Sequence, residues 1–277
     1  FEIFRNGFRN RTSEELKSLL SHFDRRVRIR AQFELANRND ARTFYGVIKR
    51  SKNQLARIHA MWGLAMIGRK GGTESRLILP LVFDMDPEIR AQACKILGEA
   101  RFTRAYPEVA TLIDDDSARV SYFATIAAGH LGNPLDKVIK MLLRNNNKDV
   151  YLRHAGVVAL ANSQYPSALM NLSNHPSPAV RIAAVLALRK LHSPYLSEYL
   201  IDDDIAIATE AARAIHDVPI QNSMEDLANS LQTAKGEPWQ RRALSASQRL
   251  GKEANLHGVI AFASNDEKSE RLRSFIE

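Results

Sequence analysis

One cysteine, Cys94, stands in 277 residues. That scarcity excludes an intrachain disulfide framework, a cysteine zinc cluster and a c-type haem attachment motif within the chain. Its place in a dense apolar stretch marks a buried, inert thiol rather than a nucleophile. Aromatic residues make up only 7% of a chain that is 45% apolar, so the packing has to come from Ala and Leu. No apolar run approaches the ~18 residues of a membrane-crossing helix. No convincing strand is present, and so no Gly-rich phosphate loop that would follow one. The eight histidines include no pair four residues apart on one helix, which removes the simplest helical metal site. No signal peptide is visible, and the chain opens at Phe1 rather than methionine. We therefore expect an excised or processed part of a longer polypeptide, with its targeting information elsewhere.

Negative charge is short at one end. Residues 1–72 hold 16 Lys/Arg against 6 Asp/Glu, whereas the remaining 205 hold 23 against 25, within a net charge of +8. A basic end of this kind attracts nucleic acid, an acidic protein or anionic lipid, or is simply a solvated cap.

What the chain has in abundance is one rewritten stretch, clearest as Asp86-Pro-Glu-Ile-Arg-Ala-Gln-Ala-Cys-Lys-Ile-Leu-Gly98. Asp86 reads as a helix N-cap and Pro87 as the first helical residue. Eight copies align on an anchor at Val27, Ala56, Ile89, Val120, Leu152, Val180, Ile207 and Trp239, separated by 29, 33, 31, 32, 28, 27 and 32 residues. Four residues after each anchor the side chain is always small: Ala31, Ala60, Ala93, Ala124, Gly156, Ala184, Ala211 and Ala243. Three residues before it stand the caps Asp24, Asn53, Asp86, Ser117, Asp149, Ser177, Asp204 and Gly236. Each repeat adds a preceding helix, at roughly 13–21, 41–50, 74–84, 104–113, 134–144, 166–173, 194–200 and 223–232. Turns fall at Gly71-Gly72, Asn145 to Asn147, Pro166, Pro194 and Pro219. Thr12-Ser-Glu-Glu15 is a capping box for the first helix. Residues 1–12 read as an extended N-terminal lead-in or cap whose Phe1, Phe4 and Phe8 close the end of a single array over 13–277. A ninth unit begins at Glu253 and finishes in a charged helix, Glu267 to Glu277. The triplets Asp114 to Asp116 and Asp202 to Asp204 fall between the two helices of a repeat, where carboxylates cap the next helix rather than bind metal.

The pattern resembles the HEAT family, in its short variety of about thirty residues per unit. The residues that carry the likeness are Val27-Arg28, Ala56-Arg57, Ile89-Arg90, Leu152-Arg153 and Val180-Arg181, with the turn aspartates Asp84, Asp115 and Asp202. His22, Ser51, Asn147 and His175 stand at the aspartate position in other copies, and Ser121, Ala208 and Gln240 replace the arginine, so an incomplete Asp–Arg ladder is expected. The resemblance implies an all-α fold, a right-handed α-solenoid (armadillo/HEAT-like superhelix) of about eight to nine two-helix repeats. A narrower likeness rests on Arg25-Arg-Val-Arg-Ile-Arg-Ala-Gln-Phe-Glu-Leu-Ala36 and Leu55-Ala-Arg-Ile-His-Ala-Met-Trp-Gly-Leu64. These look like the repeat segment of large bacterial proteins that join a sugar-dehydrogenase-like propeller, HEAT-like repeats and a c-type cytochrome domain. That likeness implies a periplasmic or secreted location and a parent oxidoreductase whose redox groups lie outside this chain.

No residue pattern identifies a catalytic, cofactor-binding or metal site, and no cofactor is assigned. Repeat phase does point to a face. Positions one before and three, six and ten after the anchor turn away from the buried arc. Among them Arg30, His59, Trp62, Met66, Lys95, Phe123, His130 and Tyr151 mix aromatic and polar groups as a protein-binding groove does. The expected function is therefore a non-enzymatic scaffold that docks another protein or a domain of its own parent chain. One alternative is a nucleic-acid-binding solenoid using the basic N-terminal repeats; Glu88, Glu99, Glu210 and Asp217 on the same face interrupt a phosphate track. Another is a cofactor-handling repeat protein resembling bilin or haem lyases.

Overall fold

The computed structural model describes residues 2–69, 75–162 and 165–264, and every regular element among them is helical. Phe1, the Gly71-Gly72 turn and the expected Glu267 to Glu277 helix lie outside the described residues. The chain groups into two compact units, Phe1–Lys137 and Val138–Glu277.

Eight long helices begin one residue after the eight cap positions. They are α1 (Arg25–Asn37), α2 (Gln54–Gly68), α3 (Pro87–Glu99), α4 (Ala118–Leu131), α5 (Val150–Asn162), α6 (Pro178–Lys190), α7 (Ile205–Asp217) and α8 (Glu237–Leu250). The first turn of a helix has amides with no partner inside it, and the cap side chains supply acceptors. Asp24 accepts from the Arg26 amide at 2.8 Å, Asn53 from Ala56 at 2.9 Å, Asp86 from Glu88 at 2.9 Å, Asp149 from Tyr151 at 2.7 Å and Asp204 from Ala206 at 2.9 Å. Ser117 and Ser177 make no such bond.

Four of the long helices also stop on a shared left-handed position, twelve residues after the anchor. Asn39, Arg101, His192 and Gly251 there have φ of 53, 49, 51 and 60°. At the first three, the amide of the following residue closes the turn on a carbonyl of the last helical turn, Asp40 on Leu35, Phe102 on Leu97 and Ser193 on Leu188, at 3.0–3.1 Å. This left-handed ending satisfies carbonyls that the helix leaves open.

The first segment of each repeat differs from expectation. Ala41–Arg50 and Leu135–Asn145 are full α-helices, but others are short or tighter 3-10 turns, such as Leu79–Phe83 and Pro194–Tyr199. Pro80 and Pro194 stand at the start of these turns. Proline has no amide to donate, so it interrupts an i to i−4 ladder at its own position. The lead-in also differs: Glu2–Arg5 is helical rather than extended. Curling brings Phe4 and Phe8 edge to face at 5.9 Å, with Arg26 over the Phe4 ring and Arg11 over Phe8. Arg38 ties the segment to the end of α1 through the carbonyls of Arg9 and Arg11, both at 2.8 Å. The Thr12–Glu15 capping box forms as the sequence indicates.

In the first unit α1 to α4 stack in order, and in the second α5 to α8 do the same. All anchors are buried except Leu152, which is partly covered, and the small-residue column is buried throughout. The column's steric partner is visible at Gly156. A Cβ there would lie 2.8 Å from Leu142, in the first helix of its own repeat. The tight contact between neighbouring long helices lies elsewhere: a Cβ on Gly98 of α3 would meet Ala127 of α4 at 2.7–2.8 Å.

Candidate protein-docking site

The turn before each long helix needs an acceptor two residues ahead of the cap, and the sequence supplies it in several chemistries. Asp84, Asp115 and Asp202 accept from the amides of Asp86, Ser117 and Asp204 at 2.8–3.0 Å. His22 and His175 do the same through Nδ1 to Asp24 and Ser177, and Ser51 through its hydroxyl to Asn53, at 3.0–3.1 Å. The aspartates carry a second load. Arg90 donates to Asp115 at 2.9 and 3.0 Å, Arg181 to Asp202 at 2.7 and 3.0 Å, and Arg57 pairs with Asp84 in the same bidentate way. Each arginine thus reaches the turn of the following repeat. Arg90 and Arg181 also donate to carbonyls of their own turn, Asp84 and His175. Burial pushes the Asp84 carboxyl up, but hydrogen bonds from Arg57 and the Asp86 amide outweigh it and hold it below its ordinary range. Asp115, Asp202 and Asp204 are therefore occupied in turn and cap contacts. No group of three or more metal-ligating side chains is clustered among the described residues.

The second repeat has Ser51 where the third has Asp84, and the arginine of the first repeat that would have paired with an aspartate there goes elsewhere. Arg28 donates through Nε to His59 Nε2 at 3.1 Å. With Nε2 accepting, Nδ1 carries the ring proton and donates to Gln32 Oε1 at 2.7 Å. His59 is 3% exposed, and burial, then the nearby Arg28 charge, push its pKa down to about 4. Phase alone placed His59 on the open face. The structure places it between α1 and α2, where a neutral imidazole links the two helices.

From there a polar chain runs along the first unit. His59 meets the Trp62 ring edge to face at 5.1 Å. The Trp62 indole N–H donates to Gln92 Oε1 at 3.0 Å, and Gln92 donates to Glu88 at 2.8 Å. Glu88 is paired with Arg119, whose guanidinium lies 5.1 Å from the centre of the Phe123 ring. The indole is thus fixed in orientation through its polar atom while the residue stays only partly covered. Together with Gln32, Phe33, Met66, Lys95 and Ile96 it lines an open recess of about 350 Å³. Gln32 donates to the Met66 sulfur at 3.2 Å.

Trp62, Met66 and Lys95 therefore share one recess. Phe123 connects to it only through the Glu88–Arg119 pair. Arg30 is exposed on α1, and His130 is half-buried on α4, its pKa lowered by burial and by Arg101. Tyr151 is 72% exposed in the second unit. Phe33, 44% exposed, belongs to the site and was overlooked, although it stands six residues after its anchor as Trp62 does.

Helix pairs stacked in series, with arginines bridging successive turns, define an α-solenoid of the helical-repeat class. Residues 74–161 match the family model described as HEAT repeats, and residues 167–193 match the HEAT repeat. Residues 74–161 and 167–193 therefore carry HEAT-like helical repeats. Among solved structures it is similar to an engineered protein of the Northeast Structural Genomics Consortium (17% identity over 96% of this chain and 89% of that one, TM-score 0.43). It is also similar to Escherichia coli YibA (18%, covering 88% and 95%, TM-score 0.41) and to human deoxyhypusine hydroxylase in complex with glycerol (16%, covering 88% and 98%, TM-score 0.34). No curated protein matches the chain. No helix among the described residues is long and apolar enough to cross a membrane.

Proposed function

We propose that the chain is a non-catalytic docking scaffold, and that the recess around Trp62 receives a segment of another protein or of another domain of the same polypeptide. One observation carries this reading. Trp62 has its N–H satisfied internally by Gln92, yet remains partly exposed beside Phe33 and Met66. A large aromatic held in one rotamer loses little entropy when a partner covers it, and such anchors dominate interface energetics. The flexible thioether of Met66 adapts to a range of partner shapes.

Nucleic-acid binding has less support. Several cations of the long helices are already paired, Arg119 with Glu88, Arg189 with Glu210 and Arg242 with Asp217, which interrupts a phosphate track. A parent protein with redox chemistry remains compatible with the docking reading, since the chemistry would then belong to the docked domain.

Selection from a random peptide library on the intact chain tests the proposal, with Trp62→Ala and Lys95→Glu as counter-screens. The expected result is a set of peptides that bind the unmodified chain and lose about tenfold or more in affinity on Trp62→Ala, roughly 1.4 kcal/mol. Peptides that bind both proteins equally would move the docking surface elsewhere.

A further inference from the structure

Beside the Trp62 recess, and sharing Ala65, Arg69, Ile96 and Glu99 with it, lies a larger one of about 520 Å³. Its floor is apolar: Ala65, Gly68, Ile96, Ala100 and Phe102. Its rim carries four guanidinium groups, Arg69, Arg76, Arg101 and Arg104, against the single carboxylate of Glu99. That carboxylate is already shared with Lys95 at 3.8 Å. None of the four arginine side chains makes an ion pair with another described residue, in a unit where the arginines of the ladder are bonded two or three times over.

Two of the four stand just past helix ends, Arg69 after α2 and Arg101 after α3, where a cation complements exposed carbonyls. Arg101 carries a backbone cost even so, since φ of 49° is left-handed and the structurally equivalent residue in the eighth repeat is Gly251.

We infer that this recess binds an acidic peptide segment of a partner protein, with its carboxylates on Arg69, Arg76, Arg101 and Arg104 and an apolar side chain on the floor at Ile96, Ala100 and Phe102. The inference rests on the reading of this face as a protein-docking surface and adds the class of partner. Arginine forks match carboxylates in bidentate geometry, and an apolar floor among them suits a hydrophobic residue flanked by acids. A nucleic-acid strand fits less well. Its phosphates would meet Glu99 at the centre of the cluster, and the basic rim ends within one recess instead of following a backbone.

The test uses the intact chain and a short fluorescein-labelled peptide of Asp and Glu around one Leu, followed by anisotropy at low salt. The same peptide with Asn and Gln, and a single-stranded oligothymidine of equal charge, are the controls. Arg101→Gly is the informative variant, because glycine accepts the left-handed backbone and keeps the helix end. Its melting temperature is expected to equal or exceed that of the parent, while affinity for the acidic peptide falls about tenfold. Arg76→Gln and Arg104→Gln are expected to weaken binding in the same direction. The inference is overturned if the acidic peptide does not bind, if it and its amide counterpart bind equally, if Arg101→Gly leaves affinity unchanged, or if the oligothymidine binds as tightly. Neutral peptides that depend on Trp62 would then leave the docking proposal standing, whereas absence of any Trp62-dependent peptide would remove both.

Discussion

A close approach between two long helices gives a sharp expectation at Gly98. A Cβ added there would lie 2.7 Å from Ala127 Cβ and 2.8 Å from Ala127 Cα, the second of these a backbone atom of α4. Carbon atoms pack at about 3.5–4.0 Å, so α3 and α4 would have to separate by roughly 0.7–1.2 Å. Overpacking of this kind costs about 1–3 kcal/mol. Replacing glycine by alanine inside a helix returns about 1 kcal/mol through backbone entropy. Gly98→Ala is therefore expected to destabilise by up to about 2 kcal/mol. Gly46, within the helix Ala41–Arg50, has nothing within 4 Å of an added Cβ, so Gly46→Ala should stabilise by about 0.5–1 kcal/mol. The same chemical change is thus predicted to have opposite signs at two sites in one unit. Urea unfolding followed by circular dichroism reads both as midpoint shifts. A Gly98→Ala as stabilising as Gly46→Ala would refute the packing of α3 on α4 described above.

Three further outcomes follow from the same geometry. Asp86→Ala should lose roughly 1 kcal/mol because the Glu88 amide loses its acceptor, whereas Ser117→Ala, where no cap bond exists, should change the unfolding midpoint little. Asp115→Ala removes both the Arg90 pair and the Ser117 turn bond and should cost about 3 kcal/mol, more than Asp86→Ala. For His59 the folded pKa is about 4, below the ordinary 6.5. The unfolded chain takes up the proton first as pH falls, so this residue's share of stability is full above about 6.5 and is lost progressively toward 4, by on the order of 3 kcal/mol. His59→Gln should flatten that part of the stability profile measured by denaturation between those pH values.

The parts of the fold legible in the sequence are those set by local chemistry. A cap residue and a small residue seven positions later marked the start of all eight long helices, because both signals act within two turns. Pro80 and Pro194 were equally visible, yet the 3-10 form of their segments was not, since the choice between tight and regular turns depends on how little chain is left before the next cap. The helix-ending column at Asn39, Arg101, His192 and Gly251 mixes residue types and hides behind that variety. Trp62, Met66 and Lys95 were found because six and ten residues after the anchor face outward on a single helix. His59, three after the anchor, was misplaced for a three-dimensional reason: Arg28 and Gln32 of the preceding helix cover it. The arginine recess draws on four separate elements, which no single-helix periodicity brings together.

Trp62 itself offers the most direct test of the docking surface. In a Trp239→Phe background, which removes the buried second indole, the fluorescence of Trp62 reports on this one position. A peptide selected on the parent protein is added while emission wavelength and acrylamide quenching are followed. Occupation of the recess predicts emission that moves to the blue, quenching that falls, and half-saturation at the same peptide concentration that anisotropy gives. Anisotropy showing the peptide bound, with the Trp62 spectrum and its quenching unchanged, would contradict the assignment of this recess as the docking site.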